Sequence, residues 1–421
     1  MKDRKFSKRR QFLKVGGAAS VGLLTGLAGC SGDGGDGDGD GGSSSDGSSG
    51  DGGDGDGTST SGSDDMGDAS VREEYGLPEL DYELEEQLNV FQWADYWPLN
   101  EDFNTIDVFE QAYGVSVNVS NYASNEEMFN KFQAGGTDQF DVAFPSYYMV
   151  NIMADQDMLQ PLDLDKLPHW ENLESRWVEE APYDPGSERL SAPYFWGTTG
   201  IAWNANMVEG ADLPLTSWDA LWNEEFAGQM RMLDDMRETM GAALKRLGYS
   251  LNSTNESEIQ EAKETLIQQK DLLKTYSSVG MAEALINENA SPIHTWSGAP
   301  FDAYWQLYDS ESESSPIDYR VPEEGGVVWV DTSVVTKEAQ NPNAAHAFIN
   351  YTLNAQVNGV IANWVYYPSP NEAAKEYIFD SMLENERIYP PDSTMQKLEF
   401  IRNLGDATKM WNEAWTEVKN A

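Results

Sequence analysis

Residues 88–144 decide the fold: LNVFQ at 88–92, FNTIDVFEQA at 103–112, VSVNV at 115–119, EEMFNKF at 126–132 and FDVAF at 140–144. The first, third and fifth are short apolar or alternating runs with the period of a strand, while the second and fourth repeat their apolar residues at helical spacing. Strand, helix, strand, helix, strand implies right-handed crossovers and predicts a parallel sheet covered by helices. Ligands of such sheets bind beyond the carboxyl ends of the strands. Those ends are residues 93–97 after the first strand and 146–148 after the third, and both are rich in aromatics.

The alternation continues downstream. Residues 217–221 begin a capped helix with an apolar face, and 230–233 read as a short strand running into Asp234 and Asp235. A helix is expected over 236–247, a long amphipathic one over about 256–273, strands over 292–296 and 327–334, and helices over 344–353 and 371–377. The folded part of the chain is too long for one ordinary core and suits two domains.

The N-terminus reads as an export address. SKRRQFLK at 7–14 pairs Arg9 with Arg10 ahead of Phe12 and Leu13 and resembles a twin-arginine signal, with Lys8 directly before the arginine pair. The apolar run that follows is shorter than a bilayer-spanning helix requires. It closes on LAGC at 27–30, which resembles a lipobox with Cys30, the only cysteine in the chain, as the lipidated residue. Residues 31–85 follow as a Gly/Asp/Ser tether and lead-in, with eleven aspartates and no Lys or Arg over 31–70. Such a tether cannot bury enough surface to offset its chain entropy. This arrangement predicts a domain held by lipid at the outer face of the cytoplasmic membrane.

The net charge of -45 is carried mostly by the body of the chain. Spread this widely, it reads as the solvated acidic shell of a halophile and identifies no ligand. It argues against a nucleic-acid partner, whose phosphates it would repel. One cysteine excludes disulfides and a thiolate metal site. His169, His294 and His346 have no metal-ligand spacing, and there is neither a Gly-rich phosphate loop after a strand nor a Gly-x-Ser-x-Gly elbow. Catalysis by two carboxylates, as in glycosidases, stays open because Asp and Glu abound.

Tryptophan and tyrosine recur beside carboxylates near strand ends. Trp93 and Tyr96 flank Asp95, Trp296 ends a strand, and Trp329 precedes Asp331 by two residues, which on a strand places both on one face. An aromatic wall beside an acid suits ammonium groups joined by methylenes. Asp235 and Glu238 have the spacing of a capping box, in which Asp235 would accept from the third amide of the helix and Glu238 would reach back.

Six ordered blocks carry a resemblance: FQWADY at 91–96, PSYY at 145–148 with Val150 and Met153, APYFWGTTGIAWN at 192–204, LDDMRE at 233–238, EGGVVWVD at 324–331 and YPSPN at 367–371. Together they resemble the spermidine/putrescine-binding proteins of polyamine ABC importers. The resemblance implies an α/β, two-lobed periplasmic-binding-protein-like fold with crossing hinge strands and a ligand cleft between the lobes. Lobe one would comprise 86–197 plus 331–376, and lobe two 198–330 plus 377–421. It implies aromatic walls at Trp93, Tyr96, Tyr148, Trp296, Trp329 and Tyr367, ammonium-binding carboxylates at Asp235, Glu238 and Asp331, and polar contacts from Ser278 and Asp95. It further implies a monomer that presents a polyamine to an ABC permease, with no cofactor, no metal and no catalytic residue. Two positions depart from the pattern: Ala94 stands where a hydroxyl is common, and Ile401 and Arg402 stand near an expected glutamine. Thiamine, a sugar or a metal ion as ligand, or a surface glycosidase, are the alternatives.

Overall fold

The computed structural model describes residues 67–421 except 95, 123, 180–183, 185–187 and 209–214. The export signal, Cys30, most of the tether and Asp95 lie outside the described residues. The last part of the expected lead-in belongs to the folded body. Asp68 caps the helix Ala69–Tyr75 (α1), and the buried Arg72 donates to the Ala112 carbonyl at 2.7 Å. Further along, the Glu85 carboxylate accepts from the Ala344 amide at 2.8 Å.

Ten strands form one mixed sheet: β1 (Gln87–Trp93), β2 (Ser116–Tyr122), β3 (Val142–Ala143), β4 (Leu159–Gln160), β5 (Ser191–Asn204), β6 (Met230–Met232), β7 (Leu273–Tyr276), β8 (Ile293–Trp296), β9 (Ile317–Arg320) and β10 (Val328–Thr336). The spatial order is β2-β1-β3-β10-β5-β8-β6-β7, with β4 added to β10 and β9 to β5. β1 runs parallel to both β2 and β3, as the opening pattern predicts. Because β1 lies between the two strands that follow it, the connections leave it in opposite directions and open a crevice at its carboxyl end. The 14-residue β5 joins the two lobes: its first half pairs antiparallel with β10 and its second half with β8 and β9. All but one of its residues are buried, so it reads as an unbroken apolar run rather than an alternating one.

Helices cover the sheet where local chemistry starts and stops them. Asn104 caps Thr105–Tyr113 (α2) by accepting from the amides of Ile106 and Asp107, and Gly114 ends it in the left-handed conformation. Ser124 caps Asn125–Lys131 (α3), and Ser146 begins Tyr147–Asp155 (α4) directly after β3. Downstream of β5, Met236–Arg246 (α5) packs against Glu256–Lys270 (α6), Gly298–Gln306 (α7) follows β8, and Thr408–Asn420 is the last helix. Pro342–Thr352 (α8) packs on β1 and β10 and is followed by Ala355–Val365 (α9), and the last helix is α10. The Asp141 carboxylate, buried beside β3, accepts from the backbone and side-chain nitrogens of both Asn89 and Asn341, which ties β1 to the start of α8.

Three expectations need correction. Residues 217–221 form a 3-10 turn, Trp218–Trp222, because Ser217 caps only the Asp219 amide and the Trp218 indole is drawn to the Gly325 carbonyl at 2.8 Å. The long helix ends at Lys270 because Leu273 opens β7, which pairs with β6. Residues 371–377 contain only a 3-10 turn, Ala373–Glu376, held by Asn371 accepting from the Ala374 amide.

Candidate functional site

The carboxyl ends of β1 and β3 meet Asp331 of β10. Past β1, the buried Tyr96 donates its hydroxyl to Asp331 Oδ2 at 2.5 Å, and just past β3 Ser146 donates to Oδ1 at 2.6 Å. Ser146 is itself oriented by Asn125 of α3, whose amide group both donates to its hydroxyl and accepts from its backbone N–H, each at 3.0 Å. Asp331 thus sits among neutral hydroxyl groups. Burial raises its carboxyl to about 6, and the two hydroxyl donors oppose that rise.

Trp329, two residues earlier, lies on the same side of the strand, as expected. Its ring meets Tyr367 edge-on at 4.7 Å, and Tyr367 meets Tyr96 at 6.0 Å. Two glycines make room for these walls. A Cβ on Gly197, opposite Trp329 on β5, would stand 2.3 Å from the indole, and one on Gly298 would stand 2.7 Å from the Tyr367 ring. Tyr366, which closes α9, adopts φ 57°, unusual for a bulky residue, and this sharp reversal precedes Tyr367.

The N-terminus of α5 contributes a second pair of acids. Asp235 caps it by accepting from the Glu238 amide at 2.9 Å, but the expected capping box is only half made. Glu238 does not reach back. Its Oε1 accepts from Thr199 Oγ1 and Trp296 Nε1, each at 3.0 Å, while Oε2 is buried with no hydrogen-bond partner among the described residues. Burial, reinforced by the Asp235 charge, raises Glu238 to about 8, and burial raises Asp235 as well. Arg237 lies between them in sequence, but its guanidinium turns to the Arg402 carbonyl at 2.7 Å and Asn252 Oδ1 at 2.9 Å and rests over Trp411.

Tyr148, Trp296, Trp329 and Tyr367 pack into one aromatic cluster, with Asp331 two residues along β10 from Trp329 and Glu238 accepting from Trp296. Tyr148 additionally donates to Glu126 at 3.3 Å. Two expected residues are placed differently. The Trp93 indole donates to the Phe144 carbonyl at 2.9 Å and its ring packs on Tyr122, which makes it a support of the crevice. Ser278 has a buried hydroxyl without a hydrogen-bond partner among the described residues, so no hydrogen bond there joins it to the carboxylates. No pattern in the sequence marks Ser146, Thr199, Asn125 or Glu126 individually. Ser146 and Thr199 lie inside recognised blocks, yet an isolated hydroxyl gives no pattern to detect. The arrangement offers buried carboxyls beside an aromatic surface, which once ionised suit a ligand with separated positive charges and an apolar middle.

A curated spermidine/putrescine-binding periplasmic protein of Salmonella typhimurium is 30% identical over 332 residues, covering 79% of this chain and 91% of the relative. A putrescine/agmatine-binding protein of Pseudomonas aeruginosa is 29% identical over 343 residues, with 79% and 91% covered. Among solved structures, the TpPotD lipoprotein of Treponema pallidum superposes with a TM-score of 0.69 at 30% identity, covering 79% of this chain and 99% of that one. The PotD substrate-binding protein of Streptococcus pneumoniae does so with a TM-score of 0.67 at 32% identity, covering 80% and 99%. The profile of bacterial extracellular solute-binding proteins matches residues 104–386, and the chain belongs to that family.

Proposed function

We propose that this protein captures a polyamine, putrescine or spermidine, between its two lobes and delivers it to an ABC permease. The observation that carries the reading is a pair of buried carboxyls, Glu238 and Asp331, beside one aromatic cluster, neither held by a cation in an ion pair among the described residues. Two buried carboxylates need positive partners, and a flexible diammonium supplies both while its methylenes lie on the rings. The relatives that bind spermidine, putrescine or agmatine support this chemistry.

In this reading lobe one is 86–197 plus 331–376 and lobe two is 198–330 plus 377–421. Ligand binding draws Asp235 and Glu238 toward the first-lobe aromatics and shifts an equilibrium between open and closed forms. The walls are Tyr96, Tyr148, Trp296, Trp329 and Tyr367, and the ammonium acceptors are Asp235, Glu238 and Asp331. The exported chain is anchored through Cys30, in keeping with LAGC at 27–30. It works as a monomer, in a saline setting where the acidic shell is screened. Among the described residues no helix is long and apolar enough to cross a membrane.

Calorimetric titration with putrescine, spermidine and spermine at molar salt, with thiamine and a sugar as controls, tests the reading. Saturable binding of a polyamine at micromolar concentration or tighter is expected. Binding of a control solute in place of every polyamine would overturn it.

A further inference from the structure

Thr199 stands where β5 passes from one neighbour to the next. The pairing with β10 ends at Thr198, opposite Val328, and the pairing with β8 begins at Thr199, opposite Trp296. The Thr199 amide donates to the Val327 carbonyl at 3.0 Å, so the backbone is held on both edges at this residue. Residues directly opposite on antiparallel strands project to the same face, and here both side chains are donors. Thr199 Oγ1 and Trp296 Nε1 each reach Glu238 Oε1 at 3.0 Å. Thr199 is 1% exposed and Glu238 5%, so the contact lies away from bulk water. The β-branched side chain of threonine has few rotamers on a strand, which fixes the direction of its hydroxyl. Glu238 Oε2, by contrast, is buried with no hydrogen-bond partner among the described residues. One oxygen of the carboxyl is doubly held and the other is left open.

We propose that Thr199 is a positioning residue of the ligand site, pinning Glu238 through Oε1 so that Oε2 is the oxygen offered to an ammonium group. This deepens the polyamine reading and rests on it. Two donors on one oxygen stop the carboxyl from turning about its last bond, whereas with Trp296 alone either oxygen can take the indole N–H. The same two donors favour the ionised form. Burial raises Glu238 and the charge of Asp235 adds to the rise, while the hydrogen bonds from Trp296 and Thr199 oppose it. The other titratable groups that act on Glu238 leave this role to the pair. Arg237 turns its guanidinium to Arg402 and Asn252, and Tyr147 of α4 and Tyr319 of β9 are raised by burial and stay neutral. Thr198, one residue earlier on β5, faces the other side of the strand, where its hydroxyl meets that of Tyr319 at 2.8 Å. It is a hydroxyl of the same strand that does not hold Glu238.

The test compares the full wild-type chain with Thr199→Val, Thr199→Ser and Thr198→Val. Carbon-13 NMR of labelled glutamate carboxyls in the ligand-free protein follows the ionisation of Glu238, whose signal is assigned by its loss in Glu238→Gln. Thr199→Val should raise the midpoint by about one pH unit, while Thr199→Ser, which keeps the donor, and Thr198→Val should leave it in place. Putrescine affinity of Thr199→Val, read by calorimetry at molar salt, should then fall about tenfold at pH 7 and only about threefold at pH 8.5, because more of Glu238 is ionised at the higher pH. Loss of packing alone would lower affinity by the same factor at both pH values. Where valine is not accommodated, Thr199→Ala, smaller and equally without a donor, carries the same expectation. An unmoved midpoint in the folded variant, or an equal rise in Thr198→Val, would overturn the proposal. If the wild-type chain bound no polyamine while the Thr199→Val midpoint still rose, the polyamine reading would fall and the hold of Thr199 on Glu238 would stand.

Discussion

Ligand capture should expel protons: burial raises Glu238, Asp331 and Asp235, and the share of the first two follows from where each titrates. With Glu238 at about 8 and Asp331 at about 6, a ligand-free cleft at pH 7 holds Glu238 mostly protonated and Asp331 mostly ionised. An ammonium ion makes its strong hydrogen bond to the ionised carboxylate, so binding forces Glu238 to ionise and releases about one proton at pH 7. Between pH 8 and pH 6 the association constant then falls roughly tenfold per pH unit, and below pH 6, where Asp331 must also lose a proton, it falls roughly a hundredfold per unit. Titrations in two buffers of different ionisation enthalpy, matched in pH and salt, count the protons directly.

Glu238→Gln supplies the decisive control. The amide keeps an oxygen for Thr199 and Trp296 but neither charge nor titration. Its deficit should be about a hundredfold at pH 8.5, the loss of one buried charge-assisted contact. It should narrow to about tenfold at pH 7, because the wild-type protein must first ionise Glu238 at a cost of about 1.4 kcal/mol. Stability moves the opposite way. A carboxyl raised in the folded state binds more protons there than in the unfolded chain, so its stabilising share is complete below its ordinary value of 4.5 and lost as the pH rises through about 8. Glu238→Gln should therefore raise the melting temperature of the ligand-free protein more at pH 8 than at pH 5. Equal heats in both buffers, with affinity flat from pH 6 to pH 8, would refute the reasoning by placing an ionised Glu238 in the free protein.

Three other outcomes follow from separate parts of the structure. At molar salt, where the Debye length is about 3 Å, Trp329→Ala should weaken polyamine binding about as much as Asp331→Asn; calorimetry finding the tryptophan neutral would remove the aromatic wall from the account. Gly298→Ala forces a Cβ to within 2.7 Å of the Tyr367 ring and 2.8 Å of the Val365 carbonyl, so it should reduce affinity about tenfold and destabilise the fold by about 1–3 kcal/mol, read from urea melts with and without ligand. His294, buried edge-on to Trp218 with both ring nitrogens lacking a hydrogen-bond partner among the described residues, is lowered to about 3 by burial. It stays neutral in the fold while the unfolded chain protonates it near 6.5, so stability is lost as the pH falls below that value, and His294→Phe should flatten the decline between pH 6.5 and pH 4 in thermal melts.

The sheet around β1 was legible because each of its elements satisfies one period cleanly. Val90 and Leu88 of β1 are buried on one side, and Val108, Phe109 and Ala112 recur along one face of α2. The strand β5 was visible only as a familiar block, since continuous burial erases the alternation that identifies a strand. β7 and β9 are four residues each, too short to establish a period, so neither is legible in the sequence. α10 carries Trp411, Ala414 and Val418 at helical spacing and could have been read, but its many polar residues masked the stripe. In the site, the carboxylates and large rings were legible as chemistry. Ser146, Thr199 and Asn125 were not, because a hydroxyl or amide acquires its role only from the strand ends that bring it to Asp331 or Glu238.

Where local rules break, the breaks gather at the crevice. The capping box at α5 is abandoned so that Glu238 can turn inward, a bulky Tyr366 takes a left-handed conformation before Tyr367, and Gly197 and Gly298 surrender side-chain contact to admit two rings. A reciprocal box would have stabilised α5 by satisfying another amide, and an unpartnered Glu238 Oε2 adds desolvation on top of that loss. Such departures persist when surrounding structure over-determines them, and they concentrate at ligand clamps. Three unrelated kinds of local cost, in backbone conformation, packing and electrostatics, meet on the same few residues. A fold selected for stability alone would have removed each of them separately. Their coincidence ties Glu238, Tyr367 and Trp329 to one function on physical grounds that do not depend on resemblance to any relative, and a ligand carrying positive charge relieves the electrostatic part of that cost when it binds.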